Sequence, residues 1–260
     1  MPRANRYFQS GNVWHITHRC HKKEFLLKFS KDRVRWLHWL YEAKKRFGLS
    51  VLNYVVTSNH IHLLVKDTGN SVISNSLQLI AGRTAPEYDH RKNRKGSYWV
   101  DRYHATAIDT GEHLLRCLVY IDLNIVRAGV AQHPSDWLHG GYHDIQSPRD
   151  RHRILNLTDL ITLSGAKDLS DLQTTQLCLI EEMMNKSPNK RNVAWSSSIA
   201  VGNERFVNTI NDSLGMKTKY RTVIKDGEDY LLRDEPSSYT AVFDTKKNAL
   251  SQENEAELDA

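Results

Sequence analysis

The chain has 260 residues, 40% apolar and 25% charged, which fits one large domain or a domain with an appendage and excludes disorder throughout. Net charge is +6, yet residues 225–260 carry ten acidic and four basic side chains, leaving +12 on residues 1–224; a basic body suits a polyanion, nucleic acid first, or serves only solubility. No run of eighteen apolar residues occurs, Met1-Pro2-Arg3-Ala4-Asn5-Arg6 lacks a signal peptide's apolar stretch, and Cys20, Cys117 and Cys178 have no paired spacing, so a membrane span, a disulfide framework and a cysteine-zinc site are all unexpected.

In chain order, residues 1–11 are basic and polar, with Arg3 and Arg6 able to reach a phosphate. Asn12 to Arg19 reads as a first strand, rich in β-branched and aromatic residues, with His15, Thr17 and Arg19 on one face. A lone strand histidine is commonly packed or solvated, so His15 and His18 receive no role. Ser30 is the expected N-cap of a helix carrying Val34, Leu37, Leu40, Tyr41 and Phe47 at helical spacing and ending at Gly48. Val51–Val56 and His60–Lys66 read as a hairpin about the turn Thr57-Ser58-Asn59.

After the loop 67–70, a helix is expected from Ser71 to Tyr88, with Ile73, Leu77, Ile80 and Ala81 inward. It leads into a basic loop, residues 89–96, where five of eight side chains are Arg, Lys or His, followed by Tyr98 and Trp99. Such a run is often a solvated face; beside aromatics it also suits a nucleic-acid backbone. Ser97 to Asp109 reads as a fourth strand region, and Thr110-Gly111-Glu112 opens a helix with Leu114, Leu115, Leu118 and Ile121 as its buried stripe. Strand, helix, strand, strand, helix, strand is the ferredoxin-like order. The expected fold is therefore α+β: an antiparallel sheet with helices on one face, a histidine pair on a central strand, and a helix carrying Tyr120 across the sheet.

Residues 133–153 read as loop anchored by Trp137 and Tyr142, residues 158–163 and 169–184 as helices, and 186–191 as a linker. Asn203–Leu214 reads as a short amphipathic helix followed by Lys217, Lys219 and Arg221, either an accessory DNA-binding element or a packing helix. The expected division is a first domain at 1–145, a mainly helical extension at 146–243 and a disordered acidic tail at 244–260.

The chemistry centres on Asn59-His60-Ile61-His62-Leu63-Leu64. Strand alternation sets His60 and His62 side by side. Tyr120 and Asn124, four apart, share a helical face. Either pair alone is a weak signal, but together they match one reaction. A divalent ion on His60 and His62 would neutralise a phosphodiester and stabilise its leaving oxygen, and Asn124 would add an amide oxygen without cancelling charge. Tyr120 would be the nucleophile. A phenol is largely protonated at neutral pH, so it needs the ion's field or proton transfer through water, and no general base stands out. A phosphotyrosine linkage would conserve the bond energy for rejoining.

These residues, with Trp99, Arg102-Tyr103 and Arg127-Ala128-Gly129, resemble the single-tyrosine transposases of the HUH nuclease superfamily. Within that superfamily the chain looks most like the REP-associated tyrosine transposases of bacteria, over about residues 1–145. Arg3, Arg6, Gly11 and Trp14-His15-Ile16-Thr17 with Arg19 are similar too. The resemblance implies His60, His62 and Asn124 as metal ligands, Tyr120 as nucleophile, Mg²⁺ or Mn²⁺ as cofactor, and single-stranded or hairpin DNA as partner. Imidazole chemistry alone would also admit Zn²⁺. Candidate DNA contacts are Arg3, Arg6, Arg19, Arg83, Arg91, Lys92, Arg94, Lys95, Arg102 and Arg127. The implied setting is cytoplasmic, near the bacterial nucleoid, without a membrane; monomer and homodimer both stay open. Ile125 stands where the family has proline after the asparagine. Two other readings compete: a domesticated protein that grips hairpins without cutting, and a metal-dependent hydrolase of small phosphates.

Overall fold

A computed structural model describes residues 8–100, 102–186, 192–215 and 221–234. Arg3, Arg6, linker residues 187–191, Lys217, Lys219 and the acidic tail lie outside them. The apolar runs noted above become β1 (Val13–Arg19), β2 (Ser50–Val56) and β3 (His60–Lys66), with β4 at His104–Ile108. Between them come α1 (Ser30–Phe47) and α2 (Val72–Lys92); α3 (Glu112–Asp122) and α4 (Asn124–Arg127) follow. The rest supplies α5 (Tyr142–Gln146), α6 (Leu157–Ser164), α7 (Leu169–Lys186), α8 (Ala194–Ser197), β5 (Ala200–Gly202), α9 (Glu204–Ser213), β6 (Arg221–Asp226) and β7 (Asp229–Asp234).

The sheet order is β2-β3-β1-β4-β5-β7-β6. The first four strands are antiparallel in the ferredoxin-like arrangement, with β3 between β2 and β1. β5 then joins β4 in parallel, and β7 and β6 extend the sheet antiparallel. The extension holds the expected helices, but it also adds three strands that periodicity could not disclose. β5 is three residues long, and five of the six residues of β6 are exposed, so neither shows inward and outward alternation.

Both faces of the sheet are buried. Asn53 and His62 meet α3 and α4 on one face, while Trp14, Ile16, Leu63 and Val65 on the other are at most 2% exposed. α1 and α2 pack together, joined by a two-pronged Arg35–Glu87 pair at 2.5 and 2.9 Å. α9 is a packing helix, burying Val207 and Ile210 against β5 and β7. Among the described residues no helix is long and apolar enough to cross a membrane.

Several boundaries differ from expectation. Phe29, not Ser30, precedes α1, and the Ser30 hydroxyl instead meets His139 Nε2 at 3.2 Å. α2 continues to Lys92, so the basic stretch begins as helix and turns only at Asn93, whose φ is 47°. β4 spans only His104–Ile108, and earlier in that stretch Trp99 makes an isolated bridge to Cys20. The stretch 133–153 contains a 3-10 turn at Pro134–Asp136 and α5.

Candidate metal and tyrosine site

β3 places the His60 and His62 rings on one face, 5.1 Å apart. Strand register sets Thr17 of β1 opposite His62 and Arg19 opposite His60. Across from β3, α3 ends at Asp122 and α4 begins at Asn124, yet Leu123 keeps a nearly helical φ of −73°. Tyr120 and Asn124 therefore stay one turn apart on one face. The break occurs without proline: Ile125 is 1% exposed and packs inward. Arg127 secures the junction, donating to the Tyr120 carbonyl and lying 4.3 Å from the Tyr120 ring.

Asp122, between the two site residues, points into the core. Its carboxyl accepts from Asn53 Nδ2 at 2.9 Å and from Gln176 Nε2 at 2.7 Å. Burial pushes it up to about 7 against the lowering effect of those two bonds. A bulge in β2 between Val51 and Asn53 sets the Asn53 amide in place. Only a glycine fits at 141, since a Cβ there would stand 2.2 Å from Asn53 Oδ1. This network locks the position of α3, and hence of Tyr120, against the sheet and α7.

Hydrogen bonds fix the imidazole tautomers. The Trp195 carbonyl only accepts, so His15 Nδ1, 2.7 Å away, carries a proton. His15 is wholly buried, and burial draws its imidazolium down to about 4, leaving Nε2 as an acceptor. His62 Nδ1, at 2.8 Å, must then donate to it, which leaves His62 Nε2 unprotonated and facing Asn124. At His60, Asn59 Oδ1 receives Nδ1–H at 2.7 Å, and Asn59 is itself oriented by donating to the Lys23 carbonyl at 3.2 Å. The Thr57 hydroxyl donates to the His60 carbonyl, fixing the turn.

His60 Nε2 is thus an acceptor too, and it stands 3.0 Å from Asn124 Oδ1, while Asn124 Nδ2 lies 2.9 Å from His62 Nε2. Turning the amide over would only move the acceptor-against-acceptor contact to the other histidine. Positive charge at this meeting point resolves the conflict in either orientation. Among the described residues no cluster of three His, Cys, Asp or Glu side chains is set to hold a metal. Two imidazoles and an amide oxygen make a different donor set, one that suits a divalent ion preferring nitrogen and oxygen.

Tyr120 closes the group, its ring 5.9 Å from His62 and 6.0 Å from His15. It is 5% exposed, and its hydroxyl makes no hydrogen bond among the described residues. Trp195 stands 6.4 Å away, ring to ring. The structure therefore brings together His60, His62, Tyr120, Asn124 and Arg127, with Arg19 on the same sheet face. Arg83 instead lies over Trp39 of α1 at 5.5 Å. Arg91 pairs with buried Asp32, and Arg94 with Glu24 and Asp89. Lys92 and Lys95 are exposed, as is Arg102.

Two contributors escaped the sequence reading. His15 shares a face with Thr17 and Arg19 by alternation, but only the β1–β3 register shows that this is the His62 face. Trp195 contributes a backbone carbonyl, which no side-chain pattern announces.

Residues 9–124 match the family model of IS200-like transposases. Over that stretch, a little under half of its length, the chain is similar to the IS200-like transposases. The match takes in His15, His60, His62 and Tyr120 and ends at Asn124. Among solved structures, a REP-associated tyrosine transposase bound to a REP hairpin is 20% identical, with a TM-score of 0.48, over 59% of this chain and 90% of that one. A Deinococcus radiodurans R1 protein assigned as a transposase is 18% identical, with a TM-score of 0.32, over 44% of this chain and 88% of that one. No curated protein matches the chain.

Proposed function

We propose that this chain is a transposase that cleaves and rejoins single-stranded DNA at hairpin sites through a phosphotyrosine linkage on Tyr120. The observation that carries the reading is the meeting of His60, His62 and Asn124 beside Tyr120. The three would hold Mg²⁺ or Mn²⁺, which when bound supplies charge neutralisation at the phosphate. The Tyr120 oxygen attacks phosphorus, the bond to the strand's leaving oxygen breaks, and that oxygen departs as a hydroxyl with the proton the phenol gives up through solvent. Attack by a DNA hydroxyl on the tyrosyl phosphate reverses the exchange and joins a new end. Arg127 and Arg19 attend the phosphate charge. The catalytic unit is residues 1–145, and the extension after it contributes the Trp195 carbonyl through His15.

Replacing Tyr120 with phenylalanine tests this. Wild type with Mn²⁺ should leave a covalent adduct on a labelled hairpin oligonucleotide; Tyr120→Phe should leave none and keep hairpin affinity within about twofold. A second reading, hairpin binding without cleavage, is favoured by the 5% exposure of Tyr120. Wild type that binds hairpins tightly with Mn²⁺ yet gives neither cut nor adduct would establish that reading instead.

A further inference from the structure

Phe25 and Phe29 are 64% and 49% exposed, the most exposed aromatic rings among the described residues. The two lie four residues apart in the chain, and large exposed apolar groups that cluster with charge mark interaction surfaces. The backbone that presents them is not loose. Leu26 and Leu27 between them are buried. Leu27 N–H donates to the Ser58 carbonyl at 2.9 Å, and the Arg33 guanidinium donates to the Leu27 carbonyl at 2.8 Å. The rings are held out in water by a pinned strap.

The strap abuts the histidine turn. Cys20 N–H donates to the Asn59 carbonyl at 2.8 Å, and the Lys23 carbonyl accepts from the same Asn59 side chain that orients His60. Its charge is positive. Lys22 and Lys23 lie in left-handed backbone, with φ of 49° and 61°, and both are exposed. Lys28 and Lys92 place their ammonium groups 6.0 and 5.1 Å from the Phe29 ring centre.

We infer that Phe25 and Phe29 are a stacking ledge for bases of the single strand that leads to the His60–Tyr120 site, with Lys22, Lys23, Lys28 and Lys92 on its phosphates. Every base offers a flat face to a phenyl ring, so such a ledge takes single strands of any sequence. The lysines beside the rings favour a polyanion over an apolar protein surface, because a protein partner would have to strip water from several ammonium groups. Lys23 stands at the His60 turn, so a strand on the ledge runs into the site. The inference rests on the proposed function and names where that reading's substrate lies.

The test measures binding by fluorescence anisotropy, with chelator present to prevent cutting, for a hairpin with a single-stranded flank, the same hairpin with a blunt end, and a thymidine oligonucleotide. Phe25→Ala with Phe29→Ala should weaken the flanked hairpin and the oligonucleotide by about tenfold per ring and leave the blunt hairpin unchanged. Phe29→Trp should retain affinity for all three. Unchanged affinity for the flanked hairpin and the oligonucleotide, or equal loss on flanked and blunt hairpins, would overturn the ledge. So would a double variant that changes only the sedimenting species, which would make the surface a contact between two copies of the chain. Loss of oligonucleotide binding supports the ledge whether or not wild type cleaves hairpins, so its failure and that of the transferase reading are told apart.

Discussion

His62 Nδ1 lies 2.8 Å from His15 Nε2, and His15 Nδ1 lies 2.7 Å from the Trp195 carbonyl. Three remote stretches of chain thus decide which nitrogen of His62 faces Asn124. Partners of this kind orient metal-binding histidines and typically change metal affinity ten- to a hundredfold when removed. His15→Leu should lower Mn²⁺ affinity by about that range, measured by titration calorimetry on the intact chain. His15→Gln should recover much of it, because its amide can accept from His62 and donate to Trp195 at the same time. Equal affinity in wild type and His15→Leu would remove His15 from the site.

Asp122 sits between Tyr120 and Asn124 in sequence but serves the packing beneath them. Asp122→Ala takes the acceptor from one buried N–H of Asn53, whose other bond goes to the Leu118 carbonyl at 3.2 Å, and from the buried Gln176 amide. The expected loss of stability is about 2–4 kcal/mol, read from urea denaturation. Cleavage should fall as well, because α3 is no longer fixed against β2. A variant as stable as wild type would show that the network bears no weight.

The sequence disclosed the four core strands and the helices that pack on them because their periods are regular. His60 and His62 were legible from alternation, and Tyr120 with Asn124 from helical spacing. The tautomer relay was not, because register between strands distant in the chain is set by packing and not by either strand's own pattern. The widening of the sheet was hidden for another reason: β6 lies at the edge, where exposure on both sides leaves no apolar stripe to detect. The basic run at 89–96 shows how charge counts mislead. Its arginines, Arg91 and Arg94, already serve acidic partners within the fold.

His139 gives the acid limb of stability a specific source. It is buried near Arg33, and burial first, then that cation, draw its imidazolium down to about 4 from 6.5. Between those values the unfolded chain binds a proton that the folded chain refuses. Its contribution is therefore complete above pH 6.5 and is lost as pH falls toward 4. The effect should be on the order of 1–2 kcal/mol across that window. Urea midpoints at pH 7 and pH 5 should lie closer together in His139→Gln than in wild type. An unchanged gap would assign the acid sensitivity elsewhere.

Arg91 and its lysine neighbours should separate cleanly into stability and binding. Asp32 is 3% exposed and pairs with Arg91. Arg91→Ala strands that carboxylate and should cost about 2–4 kcal/mol, somewhat less than a fully buried pair because the guanidinium is partly in water. A four-site alanine variant through the basic run would therefore confuse unfolding with lost contacts. Lys92→Ala with Lys95→Ala avoids this, since both side chains are exposed. If each meets one phosphate of a single strand, the slope of log affinity against log salt should become shallower by about 0.7 per lysine, with no change in melting temperature. An unaltered slope would make both lysines part of a solvated face, and the phosphate contacts would then fall to Lys22, Lys23 and Lys28 on the strap beside His60.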